Sequence, residues 1–287
     1  MAITAHEAAL THALGAAARG LAVIPLSRTK LPAVRSPHRA EHRASRCRGE
    51  CGQIGHGIHD ATTDRATVHT LFAAAPWATG YGIACGTAPH RLIGIDLDVK
   101  NGIDGIANFE HLAGEYGFTI PDTVTVTTPS GGRHLWLRGP EGHSVPNSVG
   151  RLASGIDVRG SGGYLVGPGS FTIRGHYTLA PGTEHHAAAA APEKLIALLT
   201  PPPPVQLPAP TLPVSGRQAL ALVQFVLDAP EGQRNDRLYW AACRAYGNTE
   251  GDPLASSLID AAVHVGLSES EARATVASAS RRAGGTR

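Results

Sequence analysis

Hydrophobic and polar positions change period several times along the chain, and the changes mark out elements. Residues 4–19 are alanine-rich and stop at Gly20, which predicts a first helix. A short apolar run over 21–26 reads as a strand. Asp64 is placed as the N-cap of a helix that runs to residue 74, before Pro76. Residues 80–86 and 91–99 read as a strand pair joined by a short turn, 108–116 as a helix and 123–128 as a β-branched strand. A Pro-Ser-Gly-Gly turn then leads into a strand over 134–138. Residues 156–159 and 164–166 read as a further pair around Gly-Ser-Gly-Gly. Strands and helices mix without regular alternation, so the expected fold class is α+β, rich in hairpins, and not a doubly wound nucleotide fold.

Seven of the fourteen residues 200–213 are proline, the composition of an extended, semi-rigid spacer. That places a domain boundary: a large domain over 1–199, a Pro-rich linker over 200–213 and a small all-α C-terminal domain over 214–287. The last is expected to hold helices at 217–228, 235–246, 253–265 (ended by Gly266) and 268–283. Ser268 with Glu271 has the spacing of a capping box. No internal repeat is visible.

Composition narrows the classes. An apolar content of 42% and a charged content of 17% are those of a globular protein, and 287 residues suit one large domain with a small one. The formal charge of +2 does not by itself argue for a nucleic-acid partner. Seven of the 25 basic residues nevertheless fall together (Arg28, Lys30, Arg35, Arg39, Arg43, Arg46 and Arg48), a cluster that suits a polyanion as well as a solvated loop. Four cysteines are too few for a disulfide framework. No leader pattern and no bilayer-length apolar run is visible, so a cytoplasmic protein without a membrane partner is expected.

Candidate chemistry sits in the strand-like runs. Side chains alternate along a strand, so Gly94, Asp96 and Asp98 share one face and Ile93, Ile95, Leu97 and Val99 the other. Two carboxylates two residues apart lie roughly 7 Å from each other at the Cα level and can converge on one hard divalent cation or a pair. Asp157, with Arg159 on its face, repeats the pattern and would complete a two-metal clamp. Ser130, Gly131 and Gly132 form a glycine turn whose amides can approach a phosphate, ahead of His134. Each pattern taken singly also fits a solvated strand end, a surface ion pair or a hairpin histidine. A P-loop is absent, so the chain carries no visible helicase motor and a replicative helicase, where one is involved, is a separate protein.

Four blocks, in order, resemble the bifunctional DNA primase/polymerase (prim-pol) domains of the archaeo-eukaryotic primase superfamily, found in phages, plasmids and integrated elements. They are Pro25-Leu26 with Lys30-Leu31-Pro32; Gly94-Ile95-Asp96-Leu97-Asp98; Thr128-Pro129-Ser130-Gly131-Gly132-Arg133-His134; and Gly155-Ile156-Asp157-Val158-Arg159-Gly160 with Gly162-Gly163-Tyr164. The resemblance covers residues 21–177 and is specific in the order of the blocks rather than in any one. It implies a primase-like core of mixed and antiparallel sheets with flanking helices. It implies a nucleotidyltransferase that joins NTPs or dNTPs on a single-stranded DNA template. Asp96, Asp98 and Asp157 would hold Mg²⁺ or Mn²⁺. His134 would contact the triphosphate, supported by Ser130, Gly131 and Gly132, with Lys30 and Arg159 as further phosphate contacts. Gly167-Pro168-Gly169-Ser170 departs from relatives that carry paired prolines before the serine.

Relatives also carry a cysteine/histidine-rich insertion before an Ala-Thr-Thr-Asp stretch like that at 61–64. Here Cys47, Cys51, His56 and His59 offer two thiolates and two imidazoles for zinc, with His38 and His42 as competing ligands; a reduced loop without metal is the alternative. Gly232-Gln233-Arg234-Asn235 is similar to a segment of helical modules that follow such domains, where it is thought to aid initiation or contact template. Two other classes stay open: a non-catalytic replication-initiation or DNA-binding module, and a metal-dependent nuclease.

Overall fold

The structure, a computed structural model, describes residues 3–39, 47–142, 144–200, 216–229, 233–247 and 251–284. The chain gathers into two compact units, Met1–Pro201 and Pro202–Arg287. From residue 201 onward the proline-rich spacer lies outside the described residues, as do Arg43, Arg46 and His42 of the basic segment.

The first unit mixes helices with largely antiparallel strands, an α+β arrangement. Its small sheet has the order β1 (Val23–Leu26), β2 (Gly80–Ala84), β10 (Tyr164–Val166). Its large sheet has the order β13 (Thr178–Leu179), β6 (Thr125–Thr127), β7 (Arg133–Arg138), β3 (Leu92–Leu97), β9 (Ile156–Arg159), β8 (Ser148–Val149). β14 (Ala189–Ala190) joins the far end of β7 in parallel. Two small hairpins complete the strands, β4 (Val99–Lys100) with β5 (Ile103–Asp104), and β11 (Phe171–Thr172) with β12 (Gly175–His176).

Helix starts follow local chemistry. α1 (Ala5–Ala18) opens on a capping box in which Glu7 N donates to Thr4 Oγ1 and Thr4 N donates to the Glu7 carboxylate. Asp64 caps α2 (Arg65–Ala73) by accepting from Thr67 N. α3 (Gly105–Tyr116) begins three residues earlier than its apolar period suggests, because Asp104 accepts from both Ile106 N and Ala107 N; it ends on Gly117 at φ 64°. α4 (Glu193–Leu199) was not legible as a helix in the sequence.

Both faces of the large sheet are covered. Ile93, Ile95, Leu97, Leu135, Leu137, Ile156 and Val158 pack against Phe109 and Leu112 of α3 and Leu195 and Leu199 of α4. The other face, with Leu92, Val126 and Trp136, meets the small sheet and the alanine-lined helix α1. Each fully buried aliphatic side chain contributes about 1.5–3 kcal/mol of burial, so this double layer holds β3 firmly in the centre. Gly94 sets how closely the sheets approach: a Cβ there would lie 2.5 Å from Leu165 Cδ1 of β10.

Two pairings differ from the sequence reading. β2 and β3 are consecutive but lie in different sheets, and so do β9 and β10. The link after β2, which holds Gly86, and the glycine-rich link after β9 are crossings between layers, not hairpin turns. Alternation identifies a strand and a glycine identifies a bend, but neither says which sheet receives the next strand.

The second unit, as described, consists of α5 (Gly216–Leu227), α6 (Arg234–Gly247), α7 (Gly251–His264) and α8 (Glu269–Gly284) around Val226, Leu238, Ala242, Leu258, Ala262 and Val276. Ser268 and Glu271 form the expected box at the start of α8, with Glu271 N donating to Ser268 Oγ and Ser268 N to Glu271 Oε2. Among the described residues no helix is long and apolar enough to cross a membrane.

Candidate active site

β3 is flanked by β7 on one side and β9 on the other, and the register puts chemistry in one row. Asp96 stands opposite His134 on β7 and opposite Asp157 on β9. Residues paired across strands share a face, so all three side chains leave the sheet on the side of the small sheet. Two positions earlier, Gly94 admits Leu165 and the layers touch; at the row of Asp96 they open.

The opening is a cavity of about 410 Å³ lined by Lys30, Asp96, His134, Asn147, Arg159, Tyr164 and Tyr177 among others. Asp96 Oδ1 lies 3.4 Å from His134 Nε2, and its Oδ2 lies 3.5 Å from Arg159 Nη2. The same Nη2 donates to Asp157 Oδ2 at 2.9 Å, while Gly150 N donates to Asp157 Oδ1 at 3.1 Å. Asp98 follows the end of β3 and pairs with Lys100 Nζ at 2.7 Å. Lys30 sits in the tight turn after β1 at φ 69°, its carbonyl accepting from Tyr164 Oη at 3.0 Å.

These contacts pull the two central carboxyls apart in acidity. Burial pushes Asp96 up, but the hydrogen bond and charge of His134, aided by Arg159, outweigh it and hold the group below the usual carboxylate range. Burial likewise pushes Asp157 up; Arg159 opposes this, the charges of Asp96 and Asp98 add to it, and the group stays above that range. Carboxylate oxygens are the donors that Mg²⁺ or Mn²⁺ takes. Asp96, Asp98 and Asp157 are held by His134, Lys100 and Arg159, however, and do not converge on one point; of the three only Asp96 lines the cavity.

The Ser130, Gly131, Gly132 turn joins β6 to β7 at the end of β3 nearest Asp98. Gly131 N donates to Thr128 O, and Gly131 has φ 85°. Gly132 passes so close to β3 that a Cβ would lie 2.3 Å from Leu97 O. The turn does not line the cavity itself. Tyr177 was not legible beforehand: its ring packs on His134 with centroids 5.4 Å apart, and burial, with the charges of Asp96 and Asp98, pushes its phenol up to about 12. It is the single residue between β12 and β13, its N donating to Ser170 O, without a sequence pattern to single it out.

Of the four expected zinc ligands, the structure brings Cys47, Cys51 and His56 together and leaves His59 out. His38 takes the fourth place. His59 falls in the 3-10 turn Gly57–Asp60 with its side chain exposed, because the turn rotates it off the side that His56 occupies. Hydrogen bonds from Gly49 and Cys51 amides pull the Cys47 thiol down to about 7.

A second cavity, of about 420 Å³, lies at the opposite end of β3 by Arg91, Arg138, Glu141 and Glu193, and holds none of the expected residues. No curated protein matches the chain. Residues 13–194 match the family described as bifunctional DNA primase/polymerase, N-terminal.

Proposed function

Since the chain belongs to the bifunctional DNA primase/polymerase family, N-terminal part, we propose that it joins nucleotides on a single-stranded DNA template, releasing pyrophosphate. The observation that carries this reading is the row His134, Asp96, Asp157, of which His134 and Asp96 line a cavity together with Lys30 and Arg159, while Asp157 stands beside Asp96 on β9. Asp96, Asp98 and Asp157 would hold two divalent cations, which supply the positive charge that activates the attacking hydroxyl and steadies the leaving pyrophosphate. The protein's own part is positioning and charge. His134, packed on the ring of Tyr177, turns Nε2 toward Asp96, and that nitrogen would be released to donate to a phosphate oxygen when a cation takes up the Asp96 carboxylate. Lys30 and Arg159 bring positive charge to the polyphosphate, and the Ser130–Gly132 turn supports the strand that carries His134. The core is read as primase-like, with the second unit as a helical domain following it.

Labelled nucleotide incorporation on unprimed single-stranded DNA tests the reading, with Mg²⁺ and Mn²⁺ and with NTPs and dNTPs in separate reactions. The wild-type chain is expected to make product and the Asp96→Ala/Asp98→Ala variant none. Equal extension by the two proteins overturns the assignment. Shortening of labelled DNA supports a nuclease instead, and binding without incorporation a non-catalytic module.

A further inference from the structure

We propose that His38, Cys47, Cys51 and His56 form a structural zinc site that pins the segment between β1 and α2. This goes beyond the phosphoryl-transfer reading and does not depend on it. One ligand atom from each of the four residues lies within 4.8 Å of the others. Cys51 Sγ and His56 Nε2 are 3.4 Å apart, and the His38 and His56 ring centroids 5.4 Å. Zinc–sulfur bonds of about 2.3 Å and zinc–nitrogen bonds of about 2.0 Å give a tetrahedron with edges of roughly 3.3–3.8 Å. The four atoms therefore reach an ion with shifts on the order of an ångström.

The surroundings match what a metal-bound histidine needs. Asp60 Oδ1 lies 3.6 Å from His56 Nδ1, the nitrogen turned away from the thiol. Asp60 is itself fixed, because its Oδ2 accepts from Gly55 N at 2.7 Å and His56 N at 2.8 Å. Nδ1 is buried and makes no hydrogen bond at this distance. An approach of a few tenths of an ångström, of the size that closing the four ligands on an ion requires, would give the carboxylate–imidazole pair that fixes Nε2 as the lone-pair nitrogen. Gly55 is required for this fold-back: at φ 112° a Cβ would lie 2.1 Å from Arg35 O.

Two thiolates and two imidazoles select zinc over the hard cations that suit Asp96, Asp98 and Asp157. Four protein ligands leave no open position, so the site is structural and not catalytic. Binding releases the thiol protons to solvent. The need is local. Described residues 47–60 hold no regular element beyond one 3-10 turn, and Cys51, Gly52 and Gln53 are exposed, so no apolar core fastens them. A metal bound only in the folded state supplies that fastening.

Zinc content of the full-length chain, incubated with zinc and desalted, tests the site without recourse to activity. One ion per chain is expected for the wild type and for His59→Ala. Less than about a tenth of that is expected for His38→Ala, Cys51→Ser and the Cys47→Ser/Cys51→Ser pair. Should a variant fail to fold, Co²⁺ substitution of the wild type reads the ligands directly, through strong near-ultraviolet bands from two thiolates and visible bands of tetrahedral intensity. Chelation is expected to speed protease cleavage within residues 38–60 while the rest of the first unit stays protected. Absence of stoichiometric zinc from the wild type, an octahedral Co²⁺ spectrum, or loss of zinc in His59→Ala with retention in His38→Ala would each overturn the proposal. Because metal content is read apart from incorporation, its failure and that of the polymerase reading remain distinct.

Discussion

Asp96 faces Asp157 directly across the β3–β9 pair, and a single guanidinium nitrogen of Arg159 contacts both. Like charges opposite one another on adjacent strands oppose folding. Asp157 shows it, its carboxyl being held above the usual range by burial and by the charges of Asp96 and Asp98 against the pull of Arg159. A carboxyl with a raised folded value favours the fold fully below its unfolded value near 3.8 and loses that contribution as pH rises through the folded one. Asp157→Asn, which retains an acceptor for Gly150 N, is therefore expected to melt higher than the wild type at pH 8 in chelator. The gap should close toward pH 3.5. A melting series in which the variant is no more stable at pH 8 contradicts this, with about 2–4 °C expected per kcal/mol for a chain of this size.

Divalent metal should act on the same pair in the opposite sense. Mn²⁺ or Mg²⁺ is expected to raise the melting temperature of the wild type and to leave Asp96→Asn/Asp157→Asn nearly unchanged, since a cation that binds only the folded state stabilises by mass action. Differential scanning fluorimetry across a metal titration reads this directly.

His134 and Tyr177 should separate by the kind of defect they cause. Loss of one donor to developing phosphate charge costs on the order of 10²–10³ in rate, so His134→Ala is expected to lower kcat/KM by about that factor. Tyr177→Phe keeps the ring that packs on His134 and should stay close to wild type, whereas Tyr177→Ala should raise the nucleotide KM. Steady-state kinetics in which Phe and Ala at 177 are equally damaging would point to the hydroxyl instead.

Gly94→Ala tests how the layers meet. The added Cβ would press on Leu165, itself buried, so a cost of about 1–3 kcal/mol is expected, with lower activity as the cleft beside Asp96 is displaced. Pairing it with Leu165→Ala should make the double variant more stable than the sum of the single losses, as contacting sites couple. Simple additivity in denaturant melts would show that the two do not share the space.

Much of the site was legible in the sequence because it follows strand periodicity. Asp96, Asp157 and His134 each sit in short runs where alternation fixes the side that they face, and the helix caps at Asp64 and Ser268 follow from side-chain chemistry within three residues. What escaped depends on the path of the chain in space. Tyr177 reaches His134 from β13's approach, 43 positions along, and His38 joins Cys47, Cys51 and His56 because the 3-10 turn carries His59 away. The sheet memberships of β2, β3, β9 and β10 escaped for the same reason: a short link with a glycine permits a hairpin and a crossing alike.

Those crossings bear on synthesis. The chain leaves the small sheet after Ala84, enters the large one at Leu92, and returns to the small one only at Tyr164. Neither sheet can be finished from a contiguous stretch: a nascent chain still short of Tyr164 has β1 and β2 of the small sheet but lacks β10, and the large sheet still waits for β13 and β14. Premature termination anywhere upstream leaves a fragment with unpaired edges and without the Tyr164–Val166 wall of the cavity beside Asp96.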